Sequence, residues 1–233
     1  MLRWQSPDRG LVAPLRLIPL REETGLILEV GAWVLARAVH DHHRWSERGI
    51  APPRVAVNVS PMQLRRSDFV DTVSAALAGE AVPPGIDREI TESVLMESVE
   101  ENIRKLREPR EPGISIAIED FRTGCSSLSY LTRLPVQALK IDRSFILAMS
   151  EDPDTTTLVQ TVISLAHSLN LRVIAEGVET IEQSKLLRLL RCDEIQGYLI
   201  SRPLPFEEIT AMLEGTATAS IANLGSSAKR DNS

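Results

Sequence analysis

The chain has only two cysteines, Cys125 and Cys192, too few and too far apart for a disulfide framework, which suits a reducing, cytoplasmic setting. It has no surplus of positive charge. The formal net charge is −6, so a general DNA-binding surface is not expected. A small anionic ligand remains compatible, because a bound divalent cation reverses the local sign. Long apolar runs are also missing. The longest, residues 26–36, contains Glu29 and is too short to span a bilayer. The start shows no signal-peptide pattern, so the sequence reads as cytoplasmic, or as the soluble part of a larger protein. What is present is 43% hydrophobic content over 233 residues, enough for one large core and suited to one α/β barrel or one doubly wound sheet.

Five short segments carry most of the information: VAVNVS, REITES, ISIAIEDF, ALKIDRSF and LRVIAEGVE. Each is a brief, mostly β-branched run that ends in polar residues able to hold a metal or a phosphate. In order these are Asn58, Glu89, Glu119 with Asp120, Lys140 with Asp142, and Glu176. A sixth segment, DEIQGYL, ends on Gln196 and Gly197. Such runs read as buried strands, here 55–58, 87–91, 114–119, 138–141, 172–176 and 194–198.

The stretches between them have helical spacing near 68–77, 94–107, 155–169, 180–190 and 206–213, with short turns after Ser126 and Arg143. Residues 5–20 are rich in Pro and Gly and read as an irregular loop, after which Thr24 caps a helix running to about Trp45. Its apolar stripe is Ile27, Val30, Val34 and Leu35. REPREPG, residues 107–113, ends one helix and turns the chain toward the next strand. A repeated strand–helix chain places its strands parallel and gathers their C-terminal ends on one face. The expected fold is therefore a (β/α)8 TIM-type barrel over residues 1–214. Six strands, with Leu2–Trp4 as the stub of a seventh, leave it incomplete at the N-terminal end. Residues 215–233 read as a disordered polar tail.

Carboxylates at neighbouring strand ends repel one another unless something positive lies among them. Glu89, Glu119, Asp120, Asp142 and Glu176 therefore suggest a hard-cation site. Oxygen ligands with one amide and no His or Cys cluster point to Mg²⁺ or Mn²⁺ rather than Zn²⁺. Two such ions are a device for phosphodiester hydrolysis, with Lys140 orienting the water. Helix capping accounts for any single one of these carboxylates, but poorly for their recurrence in six segments. The HDHH cluster, residues 40–43, has no third ligand and reads as the wet face of a helix. Arg65 and Arg66 read as surface residues, Cys125 as structural, and Trp4, Trp33 and Trp45 as packing residues.

Taken together, VNVS, EITES, DFxTGxSSLSYL, LPVxxLKIDRSF, AHSLxLxVIAEGVE, CDxxQGYLxSRPL and the opening LRW resemble the EAL-domain family, whose members hydrolyse cyclic di-GMP to the linear dinucleotide. The resemblance runs from Leu2 to about Leu213 and implies a (β/α)8 barrel with one antiparallel strand. It also implies a metal role for Asn58, Glu89, Glu119, Asp120 and Glu176, with Lys140 holding the nucleophilic water and Asp142 beside it. Gln196 and Arg3 match substrate-contacting positions. Glu92 matches the anchor of the loop 121–127, through which the family dimerises. Cyclic di-GMP, a homodimer partner, and a sensor or cyclase domain are the implied partners.

Three departures are equally legible. The chain starts at or after the glutamate that names the family. The family's paired aspartates appear as Glu119-Asp120. Arg122 and Cys125 replace a loop glycine and a tyrosine. The expectation is a weakened or inactive domain. The alternatives are an active phosphodiesterase with a mis-called start, or a non-catalytic interaction module or gene fragment.

Overall fold

The computed structural model describes residues 4–6, 8, 10–50, 54–77, 85–107, 114–121 and 128–215. Arg3, residues 122–127 with Arg122 and Cys125, and the tail from 216 onward lie outside the described residues.

The first described elements are an antiparallel pair, β1 (Trp4–Ser6) and β2 (Gly10–Val12), with Trp4 opposite Val12. This corrects the reading of Leu2–Trp4 as a seventh barrel strand: Trp4 pairs within its own two-stranded sheet, and Leu2 lies outside the described residues. The Pro-rich stretch is likewise not all loop. Helix α1 (Pro14–Glu23) carries Pro14 in its first turn, where no N–H is needed, and tolerates Pro19 within it. Thr24 ends this helix rather than starting the next, its hydroxyl donating to the Leu20 carbonyl at 2.8 Å. Helix α2 (Ile27–Glu47) buries Ile27, Gly31, Leu35, Val39, His42 and Trp45, a stripe rotated from the expected one.

From residue 55 the chain alternates as its pattern predicts. Strand β3 (Val55–Asn58) leads through α3 (Pro61–Arg65) and α4 (Phe69–Ala76) to β4 (Ile86–Thr91). The expected single helix 94–107 is two, α5 (Glu92–Glu97) and α6 (Val99–Arg107), broken where Ser98 leaves the helical region at φ −143°, ψ 65°. The buried Asn102 amide donates to the carbonyls of Val94 at 3.0 Å and Leu95 at 3.3 Å, satisfying the end of α5. Then follow β5 (Ile114–Phe121), α7 (Leu128–Leu131), β6 (Ala138–Ile141), α8 (Arg143–Ala148) and α9 (Pro153–Ser168). The series ends with β7 (Arg172–Glu176), α10 (Ile181–Leu189), β8 (Glu194–Gln196) and a helix over 206–215, α11.

Strands β3 to β8 form one sheet in sequence order, every pair parallel, so all their C-terminal ends share one side. This is the six-stranded arc of an incomplete barrel. Period-two alternation assigns the two faces. Val57, Ile86, Ile90, Ile116, Ile118, Leu139, Ile141, Val173 and Ala175 pack against the helices. Each large aliphatic side chain buried there contributes about 1.5–3 kcal/mol. The inner face carries a small apolar layer, Ala117, Ala138 and Ile174.

Beneath that layer lies an ionic floor the sequence reading did not identify. Arg54 donates to Asp87 at 2.7 Å and to Ser115 at 2.9 Å, while Arg172 pairs with Glu194 and lies 3.7 Å from Asp87. At the outer edge, α11 returns from β8 to the end of α2. Trp45 donates its indole N–H to Thr210 at 2.9 Å, and its ring stacks on Phe206 at 5.0 Å. Arg44 lies over the Phe206 ring, 3.8 Å from its centroid. Because α2 precedes β3 and α11 follows β8, this contact ties together the two ends of the open sheet.

Candidate active site at the strand ends

Two residues beyond the small apolar layer, the inner face turns polar again at the C-terminal ends. Asn58 pairs in register with Glu89, and Glu176 with Gln196. Lys140, 2% exposed, is the centre of this layer. Its ammonium contacts the carboxylates of Glu89 and Glu176 and lies 3.9 Å from Glu119. Asn58 donates its side-chain amide to the second Glu89 oxygen at 3.0 Å. Four strands thus deliver three carboxylates onto one cation. That follows from the alternation, because Glu89, Glu119, Lys140 and Glu176 all fall on inward positions of their strands.

The Glu119-Asp120 pair breaks the alternation, and the backbone shows how. Ile118 pairs with Leu139 but Phe121 with Ile141, so β5 spends three residues where β6 spends two. The extra residue is a β-bulge, with Asp120 in the left-handed region at φ 56°. Asp is among the few non-glycine residues that enter that region readily. The bulge brings the Asp120 carboxylate into the electrostatic field of both Glu119 and Glu176. No local signal in the sequence marks it.

The charges explain one another. Burial first, then the Glu89 carboxylate, pushes Glu119 up to about 8 against the pull of Lys140, with Glu176 and Asp120 adding to the rise. Burial likewise raises Glu176, and contact with Lys140 holds it back. For Lys140 burial opposes the charge, but Glu89 and Glu176 outweigh it and lift its pKa above the usual lysine value. The cluster has more carboxylate than its single ammonium can neutralise.

Two glycines shape the rim. Gly177 adopts φ 70°, and a Cβ there would lie 2.2 Å from Cγ of Arg143. At Gly197 a Cβ would lie 2.2 Å from the Val178 carbonyl oxygen, so only glycine lets the strand after Gln196 close against that backbone.

The remaining predicted residues lie around this centre. Asp142 caps α8, accepting from the Ser144 N–H at 3.0 Å, which is the capping role weighed against a catalytic one. Glu92 is buried in the first turn of α5, where a carboxylate complements the helix dipole. Gln196 is exposed at the end of β8. Arg3 and loop residues 122–127 lie outside the described residues. Arg65 and Arg66 are surface residues paired with Glu97 and Asp68. The histidine cluster is not wholly a wet face: His42 is buried, and burial lowers its pKa. Trp45 packs as expected, whereas Trp33 is 57% exposed, because the stripe of α2 is rotated away from it.

Among the described residues, no three His, Cys, Asp or Glu side chains are arranged to hold a metal ion. The carboxylates converge on Lys140 instead. Their chemistry nevertheless fits a hard cation: several oxygens, one amide neighbour, and excess negative charge held at a cost in proton affinity. No described helix is long and apolar enough to cross a membrane.

Comparison with known proteins points the same way. Residues 1–203 match the EAL domain family. The bifunctional diguanylate cyclase/cyclic di-GMP phosphodiesterase MucR of Pseudomonas aeruginosa is 41% identical over 212 residues, which are 91% of this chain and 31% of MucR. The cyclic di-GMP phosphodiesterase NbdA of the same organism is 42% identical over 214 residues, 91% of this chain and 27% of NbdA. The chain therefore spans about three-tenths of the length of these relatives. Among solved structures, the PaMucR phosphodiesterase in its c-di-GMP complex superposes with a TM-score of 0.84 at 40% identity, covering 90% of this chain and 85% of that one.

Proposed function

Because the chain belongs to the EAL domain family, we propose that it is a cyclic di-GMP domain of phosphodiesterase type, acting in second-messenger signalling with weakened hydrolysis. The observation that carries this reading is the buried Lys140 ammonium gripped by Glu89 and Glu176, with Glu119 3.9 Å away, at the C-terminal ends of the parallel strands. Asn58, Glu89, Glu119, Asp120 and Glu176 are the residues that would hold Mg²⁺ or Mn²⁺. When bound, such ions supply an acidified water and stabilise charge on the phosphoryl oxygens. Lys140 orients that water and, against the rise that burial causes, pulls down the proton affinity of Glu119 and Glu176. Asp142 fixes the turn that follows Lys140, and Gln196 and Arg3 contact the dinucleotide.

The weakening rests on Glu119. One methylene longer than aspartate, it moves its carboxylate by roughly 1.5 Å, and Mg²⁺ sites near 2.1 Å tolerate little displacement. Even changes behind the ligands commonly cost about 10–100-fold. A homodimer through residues 121–127, a neighbouring sensor or cyclase domain, a folded unit over 1–214 and a cytoplasmic setting complete the proposal.

The test is incubation of the chain with cyclic di-GMP and Mg²⁺ or Mn²⁺, following the linear product, beside the variant Glu119→Asp. Slow turnover that rises in the variant is expected. Equal, substantial rates in both would remove the weakening. Absence of both turnover and calorimetric binding would leave a protein-interaction module instead.

A further inference from the structure

The turn that follows Glu176 is tied to its two neighbours in different ways. On the β8 side the tie is backbone: the Val178 N–H donates to the Gln196 carbonyl at 3.1 Å, and the Leu199 N–H donates to the Val178 carbonyl at 3.0 Å. On the β6 side the last registered pair is Ile141 with Ala175, one residue short of Glu176. Among the described residues, the turn 177–180 makes no backbone hydrogen bond to β6 or α8. Yet it is on this side that Glu176 must meet the Lys140 ammonium.

Two side chains supply the tie instead. Gln183, 4% exposed on the first turn of α10, accepts from the Glu179 N–H at 2.8 Å and the Thr180 N–H at 3.1 Å. Its amide N–H donates to the Ile146 carbonyl at 3.3 Å, one of the last carbonyls of α8, which have no partner within their own helix. A capping box needs only the bond to Thr180. The bonds to Glu179 and Ile146 go beyond it, and they join the turn after β7 to the helix after β6. Arg143 adds a second link. Its stem lies on Gly177, and its guanidinium donates to Glu179 at 2.7 Å. The two partners stand three residues past Lys140 and three past Glu176, so this pair bridges the turns next to the site.

We propose that Gln183 and Arg143 are positioning residues: they clasp the turn after β7 to α8 and so hold the Glu176 carboxylate in place for a bound cation. The inference rests on the metal-dependent phosphodiesterase reading given above.

The test has two readouts on the whole chain, Mn²⁺ affinity by titration calorimetry and amide hydrogen exchange of residues 177–180 without metal. Gln183→Ala should speed that exchange and weaken Mn²⁺ by about 10–100-fold, the usual cost of losing a residue that orients a ligand. Arg143→Ala removes a half-exposed ion pair and should weaken Mn²⁺ by up to about fivefold, with recovery in Arg143→Lys. Charge alone predicts the opposite sign, because deleting a cation favours binding of another. Two controls separate positioning from stability and from charge. Thr180→Ala removes the cap of α10 but leaves the side-chain bonds of Gln183, and Arg133→Ala deletes an equally exposed arginine paired with Glu100. Both should keep wild-type Mn²⁺ affinity.

Wild-type Mn²⁺ affinity in Gln183→Ala overturns the proposal, and so does unchanged exchange of residues 177–180. Equal weakening in Thr180→Ala also overturns it, since α10 stability would then be the cause. If wild type itself binds no Mn²⁺, the metal-site reading fails and the positioning role falls with it. If wild type binds and Gln183→Ala binds as tightly, only this inference fails.

Discussion

Replacing Lys140 by methionine removes the only cation that, among the described residues, contacts the carboxylates at the strand ends, while keeping most of the side-chain volume. Two carboxylates touch the ammonium and a third lies 3.9 Å from it. At that separation, and at the effective dielectric that suits protein sites, one ion pair is worth about 4 kcal/mol before desolvation is subtracted. Breaking a buried pair from one side leaves uncompensated charge and typically costs about 3–5 kcal/mol. The loss should depend on pH, and the sign is fixed by the carboxyls. Glu119 is already pushed to about 8 and Glu176 is raised, and both rise further once Lys140 is gone. A carboxyl raised in the folded state destabilises it at pH values above its unfolded value, increasingly until the folded pKa is passed.

The deficit of Lys140→Met should therefore be near its full size at pH 8.5. It should shrink toward pH 5.5, where protons replace the missing ammonium. Urea unfolding in EDTA at the two pH values measures it as a change in midpoint at constant slope. Millimolar Mn²⁺ at pH 8.5 should recover part of it. A deficit equal at both pH values, or larger at pH 5.5, would refute the charge-compensation account and leave only lost packing.

Three further outcomes follow from the same geometry. Because the Glu119 carboxyl is held near 8 in the unliganded cluster, a cation must displace its proton. Mn²⁺ affinity by calorimetry should rise from pH 6 to pH 8 and then level, with proton uptake by the buffer at the lower pH. Asp120 occupies the left-handed region at φ 56°, so Asp120→Val should lower stability by about 1–2 kcal/mol whereas Asp120→Asn should be tolerated, as thermal unfolding would show. Trp45→Ala should cost about 3–5 kcal/mol in chemical unfolding, because it deletes a buried indole, while Thr210→Val should cost about 1 kcal/mol for the hydrogen bond alone.

Much of the barrel arc is visible in single segments. VAVN, IAIE, ALKI and RVIAE each place aliphatic residues at every second position, and those positions are the ones packed on the helices. The alternation also assigns Glu89, Glu119, Lys140 and Glu176 to the other face before any strand is paired. Asp87 carries the same signal, two residues before Glu89, and with Arg54 and Arg172 it forms the ionic floor that went unread. The N-terminal stretch was misread because proline counts were given loop meaning, whereas Pro14 stands at the one helical position where it is favoured. The helix 94–107 was misread as continuous because its break depends on Asn102 reaching back to the carbonyls of Val94 and Leu95.

The sequence by itself determined which residues line the inner face and that their polar ends gather on one side, because side-chain direction in a strand is a local, period-two property. Only the tertiary structure decided how those charges settle. Lys140 meets Glu89 and Glu176 across strands, the bulge admits Asp120 beside Glu119, and α11 ties the end of the sheet to α2 through Trp45. Each of these depends on register between segments distant in the chain. Electrostatic compensation, unlike alternation, is a sum over neighbours that only folding brings together.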